Sequence, residues 1–434
     1  MKLKGIMVAG IFAATISLLN VKSADAQERD TIVLKVLEEN APKYFNAPGM
    51  PRFSVIGKEQ EFYLGIGGYI RGSVSYDFGN PIESPVYFVT NAIPMNNPPG
   101  NSSLWQMSAA SSNMFFNFVA LPHTENKVGA YVDFGFAEGL GNYGFSVKAA
   151  YLTYRNFVVG YTTSLFTDGQ AAAQTIDQQG PNAMTFLFNT VIDWQRKLND
   201  HWKIGVGVEM PSVNATYGSR NQAVGQRLPD IPLYLQYSWK EGKGWIRLSG
   251  LLRDMQYRNL VTGNNSSQAG VAVKLSSVGP LTSRLTLYSQ SVFGTGIGSY
   301  VQDLQGLGLD LVPVDGASGK MRPVEVVGSY LGLQYQISQV LSTSATFSEV
   351  KCFMPDGYQS GIDAGVSGVT SGADGTYGPW GGTYKQASYF VCNLIYKVSP
   401  VLTTGVEYLW GSRKDLNNEM HHNNRLQASL RVNF

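Results

Sequence analysis

The sequence predicts an all-β membrane protein, a transmembrane antiparallel β-barrel of about sixteen strands with long outer loops and short periplasmic turns. Three observations support this prediction. Side chains alternate between apolar and polar along many segments, short turns alternate with long glycine-rich loops, and only 15% of the residues are charged. Lipid accepts such a chain only where every backbone polar group is paired within the protein, and a closed barrel pairs them all.

Residues 1–26 have the three parts of a signal peptide. Lysines at positions 2 and 4 form a basic start, residues 6–19 form a short apolar stretch, and small residues precede the expected cleavage site. We expect the mature chain to begin at Gln27 and to be exported. Loss of the peptide brings the formal net charge from +2 to about zero, so the sequence implies no nucleic-acid partner. No later apolar run reaches the roughly 18 residues of a transmembrane helix.

Residues 27–60 are predicted to form a periplasmic lead-in to the barrel. Residues 31–40 suit a short helix, and the prolines that follow would interrupt a regular element. These prolines are Pro42, Pro48 and Pro51. The barrel itself is predicted over residues 61–434, where a period of two begins and then continues.

The final segment, residues 423–434, shows the period of two most clearly. Its apolar face carries Leu426, Ala428, Leu430, Val432 and Phe434, and its polar face carries Arg425, Gln427, Ser429, Arg431 and Asn433. One face then meets lipid and the other a wet lumen, and a final outward aromatic is typical of the closing strand of an outer-membrane barrel. A soluble edge strand has the same pattern, so the segment alone leaves that alternative open.

Short turns and long loops alternate along the barrel region. The seven short turns lie at 123–126, 155–156, 198–201, 241–244, 279–283, 338–339 and 399–400. The eight long loops lie near 78–103, 137–144, 164–185, 211–231, 256–266, 294–321, 354–383 and 411–423. This count gives about sixteen strands with both chain ends on the short-turn side. Aromatic residues near short turns predict a girdle at the periplasmic interface: Trp194, Trp202, Trp239, Trp245 and Tyr396.

Residue types that catalysis and metal binding use are sparse. All the histidines lie in predicted turns or loops, and none belongs to a Ser–His or Cys–His pattern. They are His123, His201, His421 and His422. Cys352 and Cys392 are predicted on neighbouring strands at different depths, which argues against a disulfide. We expect no enzyme, no cofactor and no metal site, and an outer-membrane phospholipase is the least favoured alternative.

Six stretches resemble the DcaP-like trimeric outer-membrane porins in their order and spacing. They are 177–182 (DQQGPN), 250–253 (GLLR), 294–304 (GTGIGSYVQDL), 393–396 (NLIY), 406–411 (VEYLWG) and 424–427 (NRLQ). The likeness runs discontinuously from about Phe62 to Phe434. The resemblance implies about sixteen strands per protomer, a homotrimer in outer-membrane lipid, and diffusion of small hydrophilic, anionic solutes such as dicarboxylates.

The chain departs from this family in two places. The family has more basic residues on the inner faces of the second and sixth strands, where this chain has Asn113, Asn117, Asn189, Asp193 and Gln195. A long coiled coil that some relatives place before the barrel is reduced to the stretch near residues 31–40. Both departures concern anion selectivity rather than the barrel.

A passive diffusion channel is the first functional hypothesis. About sixteen strands leave an aqueous lumen, whereas about eight would be filled by side chains. We expect the third outer loop, residues 163–185, to fold inward as the constriction. Its candidates are Asp168, Gln170, Asp177 and Gln178, facing wall residues Arg71, Lys148, Arg247, Arg253, Arg425 and Arg431. The alternative for each is that it pairs within the protein and braces the loop.

Mild anion preference is the expected selectivity. Arg71, Arg253 and Arg425 are expected to oppose Asp168 and Asp177, because charges elsewhere are screened over about 8–10 Å. On this hypothesis Arg253→Ala moves the reversal potential toward cations and Asp177→Ala moves it the other way. The second hypothesis is a binding or adhesion barrel with a plugged lumen, whose loop 355–382 contacts a partner.

Overall fold

The computed structural model describes residues 24–96, 100–138, 142–315, 317–358 and 384–434. Within these ranges the chain forms one α-helix, α1 (Ala24–Asn40), and twenty-one strands. The strands are β1 (Phe53–Ile56), β2 (Phe62–Gly79), β3 (Ser103–Ser108), β4 (Asn113–Ala120), β5 (Val128–Glu138), β6 (Asn142–Tyr154), β7 (Phe157–Thr163), β8 (Phe188–Lys197), β9 (Trp202–Glu209), β10 (Asn221–Ala223), β11 (Ile231–Trp239), β12 (Gly244–Asn259), β13 (Asn264–Pro280), β14 (Leu285–Thr295), β15 (Leu311–Val314), β16 (Lys320–Pro323), β17 (Glu325–Gln336), β18 (Leu341–Phe353), β19 (Tyr384–Lys397), β20 (Leu402–Asp415) and β21 (Met420–Asn433). No helix among these residues is long and apolar enough to cross a membrane.

The strands close into an antiparallel barrel of sixteen strands, as the sequence predicts. Each wall strand pairs with its neighbour along the chain, and β21 pairs with β2 to close the ring. Strands β3 and β4 form one wall position, because they pair with successive parts of β2. β10 extends the wall beside β12, β1 lies against the start of β2, and β15 and β16 form a separate hairpin within a loop.

Side-chain exposure confirms the predicted strand faces. On β21, Leu430 is 52% exposed, whereas Arg425 is 0% exposed. On β2, Ile70 is 60% exposed and the adjacent Tyr69 only 1%. The outward residues form the apolar surface that meets lipid, because side chains of a strand alternate between its two faces.

Short turns and long loops lie at opposite ends of the barrel, here named the short-turn end and the loop end. Two predicted loops are wrong: 256–266 and 411–423 are mostly strand, because the alternation continues to Asn259 and resumes at Met420. They reduce to the connections 260–263 and 416–419. The predicted loop 137–144 lies partly, and the loop 354–383 mostly, outside the described residues.

One member of the predicted aromatic girdle faces inward. Trp202 and Tyr396 are exposed on the outer surface, as expected. Trp245 instead lies opposite Ser238 on the inner face and donates a hydrogen bond to Asp168 at 3.1 Å. A position near a turn does not by itself place an aromatic side chain on the outer surface. The two-residue period of β12 decides which way Trp245 points.

The two cysteines are free, as expected. Cys352 lies on β18 and Cys392 on β19, where Cys392 is opposite Ala345. The two thiols therefore sit at different levels of neighbouring strands and cannot reach one another.

Candidate pore lumen

The lumen is filled by loops from one end and by the lead-in from the other. Loop 164–187 folds inward as expected and reaches the far wall, where Ala183 bonds Ser348 and Gln290. Loop 296–310 packs beside it, with Tyr300 and Leu304 buried. From the short-turn end, part of the predicted lead-in enters the barrel, so that Leu37 packs on lumen-facing side chains.

A cavity of about 610 Å³ remains at the short-turn end, here named the basic cavity. Seven lysines and arginines line it, against three carboxylates. The basic residues are Lys43, Lys127, Arg155, Arg196, Lys197, Lys203 and Arg247, and the acidic ones are Glu39, Asp168 and Asp193. Of the predicted site residues, the structure therefore brings Asp168, Gln170 and Arg247 together.

Asp168 and Arg247 form the inner wall of the basic cavity. Arg247 donates two hydrogen bonds to Gln236, at 2.8 and 2.9 Å, and lies 3.7 Å from the carboxylate of Asp168. Asp168 also accepts a hydrogen bond from Ser276 at 2.6 Å. Burial raises the pKa of Asp168, but Arg247, Lys274 and the hydrogen bonds outweigh it, so the net pKa lies below its usual value. Asp168 is therefore an anion at ordinary pH.

Two lysines face the same cavity from different parts of the chain. Lys203 on β9 donates to Gln195 at 2.9 Å. Lys43 belongs to the lead-in and has no hydrogen bond or ion pair within the described residues. Burial, and then the positive charge of Lys197, lower the pKa of Lys43 from its ordinary value. Its ammonium group makes no ion pair there, and the negative charges of Glu38 and Glu39 offset only part of the lowering of its pKa.

A second cavity of about 200 Å³ lies beside the lead-in. Arg71, Lys397 and Arg431 line it, and no carboxylate from the described part of the chain does. Arg71 and Arg431 stand directly opposite one another on β2 and β21. Like charges in that position repel. Among the described residues the buried Nε of Arg71 has no hydrogen-bond partner, whereas Arg431 lies 3.8 Å above the ring of Tyr69.

Three of the predicted site residues are bonded within the protein instead. Arg253 donates to Asp230 at 3.0 Å and lies 3.2 Å from Asp310. Arg425 pairs with Asp77, with Nη2 at 2.9 Å. The Asp177 carboxylate accepts from three backbone NH groups and from the hydroxyl of Tyr389. These three residues brace loops at the loop end, and neither cavity is lined by them.

The remaining candidates have minor contacts. Gln170 is exposed at the rim of the basic cavity. Gln178 is fixed by its backbone NH, which donates to Val86 at 3.2 Å. Lys148 is half-buried on β6 and would lie against any side chain added at Gly135. It lines neither of the two cavities.

Sequence reasoning missed most of the basic cavity. Lys203 stood on the polar face of a recognised strand and could have been included. Lys43 lies in the stretch that the sequence predicts to be a periplasmic lead-in. The signal that could have placed it is the apolar spacing of Val33, Val36 and Leu37, which gives one helix face a surface to bury.

The described histidines contact neither a serine hydroxyl nor a thiol. His123 bonds the hydroxyl of Tyr63, and His201 bonds the carbonyl of Ser238. His421 lies near Pro94 and Glu419. No group of His, Cys, Asp and Glu side chains within the described ranges is arranged to hold a metal ion.

Comparisons with known proteins find similar barrels. The family model of the DcaP outer membrane protein matches residues 55–281. The outer membrane channel DcaP of Acinetobacter baumannii has a TM-score of 0.70 and 17% identity, with 88% of this chain and 99% of that chain covered. An anion-selective porin from Comamonas acidovorans has a TM-score of 0.51 and 12% identity, covering 86% and 100%. OmpT of Vibrio cholerae has a TM-score of 0.52 and 9% identity, with 88% of this chain and 100% of that chain covered. No curated protein sequence matches the chain.

Proposed function

This chain belongs to the DcaP outer membrane protein family and lies in the outer membrane of a Gram-negative bacterium, and from that premise we propose that it is a passive pore for small hydrophilic anions. Small dicarboxylates are the solute class that fits best. The role is then transport without catalysis. The single observation that carries the proposal is the excess of lysines and arginines around the basic cavity.

Two of the three carboxylates that line the basic cavity lie beside a basic residue, which increases the ratio of the remaining basic groups to acidic ones. Glu39 is neutralised by Lys127 at 2.7 Å, and Asp168 lies beside Arg247. Of the cavity's carboxylates only that of Asp193 is left, while Lys43 and Lys203 line the cavity without an ion pair among the described residues. A carboxylate solute gains charge-assisted hydrogen bonds from such donors, whereas an amine meets repulsion.

The charges around the second cavity also favour anions. Arg71 and Arg431 face one another without a carboxylate between them. An anion placed there would relieve their repulsion. Both cavities lie at the short-turn end, so a solute would meet positive potential at that end of the barrel.

Planar-bilayer recording of the purified protein tests the channel. We expect stepwise insertion events with ohmic conductance in potassium chloride, and a lower conductance when small dicarboxylates compete for the lumen. Heat-denatured protein is the control. Protein that inserts, as shown by protection from protease, yet never conducts would contradict the proposal.

A binding barrel is the second candidate, and the filled lumen is the observation that favours it. Loop 355–382, which would contact the partner in such a barrel, lies almost wholly outside the described residues. The same recordings separate the two functions, because a barrel that only binds remains silent. Release of fatty acid from phospholipid by the pure protein would instead support the phospholipase alternative.

The proposal includes a signal peptide and a trimeric assembly. Residues 1–26 act as a signal peptide, with the barrel beginning near residue 61. Three protomers assemble in outer-membrane lipid through part of the apolar outer surface. Native mass measurement in detergent tests the second expectation, where a mass of three protomers supports it and a clean monomer contradicts it.

A further inference from the structure

We propose that residues 33–52 form an internal plug, which seats in the lumen from the short-turn end and narrows the channel. The proposal rests on the pore function above. It concerns a stretch that the sequence assigns to the periplasm. Three sets of contacts support it: an apolar helix face, a chain of hydrogen bonds to the wall, and glycines that leave room for the backbone.

The apolar contacts begin on helix α1. Val33, Val36 and Leu37 pack against Tyr63 and Val119, which face the lumen from β2 and β4. In a water-filled pore these wall side chains would be wet. Here Tyr63 is 1% exposed and Val119 is 0% exposed. Burial of this apolar surface favours the seated state.

Asn40, the last residue of the helix, is bonded to several strands. Its amide donates to Asn117 on β4 at 2.7 Å, and its side-chain oxygen accepts from Thr153 on β6 at 2.6 Å. Its backbone carbonyl accepts from Tyr151 at 2.8 Å. Asn117 in turn donates to the carbonyl of Leu37 at 2.7 Å. The end of the helix is therefore fixed to the inner wall by hydrogen bonds to β4 and β6.

Deeper contacts link the plug to the constriction loop and to the opposite wall. The hydroxyl of Tyr44 bonds Asp133 on β5. Phe45 packs with Met184 of the constriction loop and Tyr330 of β17. Asn46 donates to the carbonyl of Asp177 at 3.1 Å. Arg431 on β21 donates to the carbonyl of Pro48 at 2.9 Å. The segment thus crosses the lumen rather than following one side.

Glycines of the wall and loop make space for this path. A Cβ at Gly169 would lie 2.5 Å from the backbone nitrogen of Phe45, which cannot move aside as a flexible side chain could. A Cβ at Gly65 would lie 2.6 Å from the ring of Pro51. Such close approach requires glycine, so the barrel interior is shaped to this segment.

The plug also explains the two separate cavities. It contributes Lys43 to the lining of the basic cavity, and Pro48 contacts Arg431 on the border of the second. With the segment seated, solutes must pass around it. With the segment withdrawn, the space it occupies would join the open lumen, and conductance would rise.

A disulfide lock tests the proposal on the full chain. Asn40→Cys and Thr153→Cys are introduced together into a chain in which Cys352 and Cys392 are replaced by alanine. We expect the disulfide to form on mild oxidation, as shown by a linked peptide in mass spectrometry. Conductance should be low while the link is present and severalfold higher after reduction. The chain with Thr153→Cys alone should show no such redox response.

Gly169→Val provides a second, independent variant. The valine collides with the backbone of the plug, so we expect raised conductance without any reductant. When Gly169→Val is combined with the two cysteine substitutions, the disulfide between positions 40 and 153 should no longer form. Gly250→Ala is the matched control, because its nearest neighbour would be 3.5 Å away and conductance should not change.

Each outcome has a distinct meaning. Failure of the link to form in the folded barrel would overturn the seating of the plug. Equal conductance of the linked and reduced forms, with Gly169→Val unchanged from the parent, would overturn its role as the barrier. A link that forms in a chain with no conductance in any variant would support the seating and contradict the pore function instead.

Discussion

The two ends of the lumen use arginine in opposite ways, and strand β12 shows the contrast within a few residues. Arg253 is fully buried between Asp230 and Asp310, with further bonds to backbone carbonyls. Arg247 faces the basic cavity, where its strongest contacts are to the neutral amide of Gln236. Arg253 is enclosed by two carboxylates and braces the loops, whereas Arg247 keeps only the longer contact of 3.7 Å with Asp168 and lines the cavity.

The same contrast appears on strands β2 and β21. Arg425 is paired with Asp77 and is fully buried. Arg431, on the same face of β21 and nearer the short-turn end, stands opposite Arg71 and has no carboxylate beside it. Position along the barrel therefore separates structural from pore-lining cations more reliably than residue type does.

Removing a brace should have the largest effect. Arg253→Gln leaves the carboxylates of Asp230 and Asp310 buried without their counter-charge, which costs about 3–5 kcal/mol when one partner of a buried pair is lost. We expect this loss in the free energy of unfolding, measured by guanidinium titration of the barrel in detergent. The reversal potential of the protein that remains folded should change little.

An exposed ion pair between Asp254 of the same strand and a loop arginine provides the control. Arg227 and Asp254 approach to 2.7 Å, but Arg227 is largely exposed. Water and salt screen such a pair, so Arg227→Gln should leave the unfolding transition almost unchanged. If Arg253→Gln were equally mild, or if it moved the reversal potential as strongly as a cavity variant, Arg253 would not be a brace.

A substitution in the basic cavity should have an intermediate effect, on selectivity rather than stability. Arg247→Gln removes a cation that faces the basic cavity and lies 3.7 Å from the carboxylate of Asp168. We expect the reversal potential in a salt gradient to move toward cations. The loss of unfolding free energy should be smaller than in Arg253→Gln, because Asp168 keeps its hydrogen bonds from Trp245 and Ser276. Lys203→Gln should move it in the same direction. No shift in either variant would show that the solute path avoids the basic cavity.

The smallest effect concerns pH. Burial and the neighbouring positive charge of Lys197 lower the pKa of Lys43 from 10.5, so it loses its charge at a lower pH than a free lysine. Asp168 has a lowered pKa and keeps its charge throughout the neutral and alkaline range. Anion preference should therefore weaken as the pH rises toward 10.

Lys43→Gln isolates that part of the pH response. The variant should begin with a slightly weaker anion preference at neutral pH and then show less decline on alkalinisation than the parent. Identical pH profiles for the two proteins would mean that Lys43 does not face the conducting path.

The barrel could be predicted from sequence because its signal is local. Each strand shows which face meets lipid by the alternation of its own residues, and that pattern placed Arg247, Arg253 and Arg425 correctly on the inner face. Asp77 faces Arg425 from the neighbouring strand β2, whereas the carboxylates beside Arg247 and Arg253 come from loops that no local pattern aligns. No residue near Arg253 in the sequence indicates that Asp310 will reach it. An arginine that braces a loop and an arginine that lines the pore therefore look alike in the sequence.

The lead-in illustrates the same limit. A helix near residues 31–40 was predicted, and α1 ends at Asn40. Its position in the lumen depends on contacts such as those of Asn40 with Asn117 and Thr153, which are 77 and 113 residues away. The shortness of the stretch near residues 31–40 predicts a short periplasmic extension. In the structure this stretch packs into the barrel.

The reversal potential of the unmodified protein in a potassium chloride gradient tests the central claim most directly. The short-turn end presents two cavities in which basic residues outnumber acidic ones. We expect a potential of the sign that indicates anion preference, growing as the salt concentration falls because screening then weakens. A preference for cations at low salt would contradict an anion pore built on these residues.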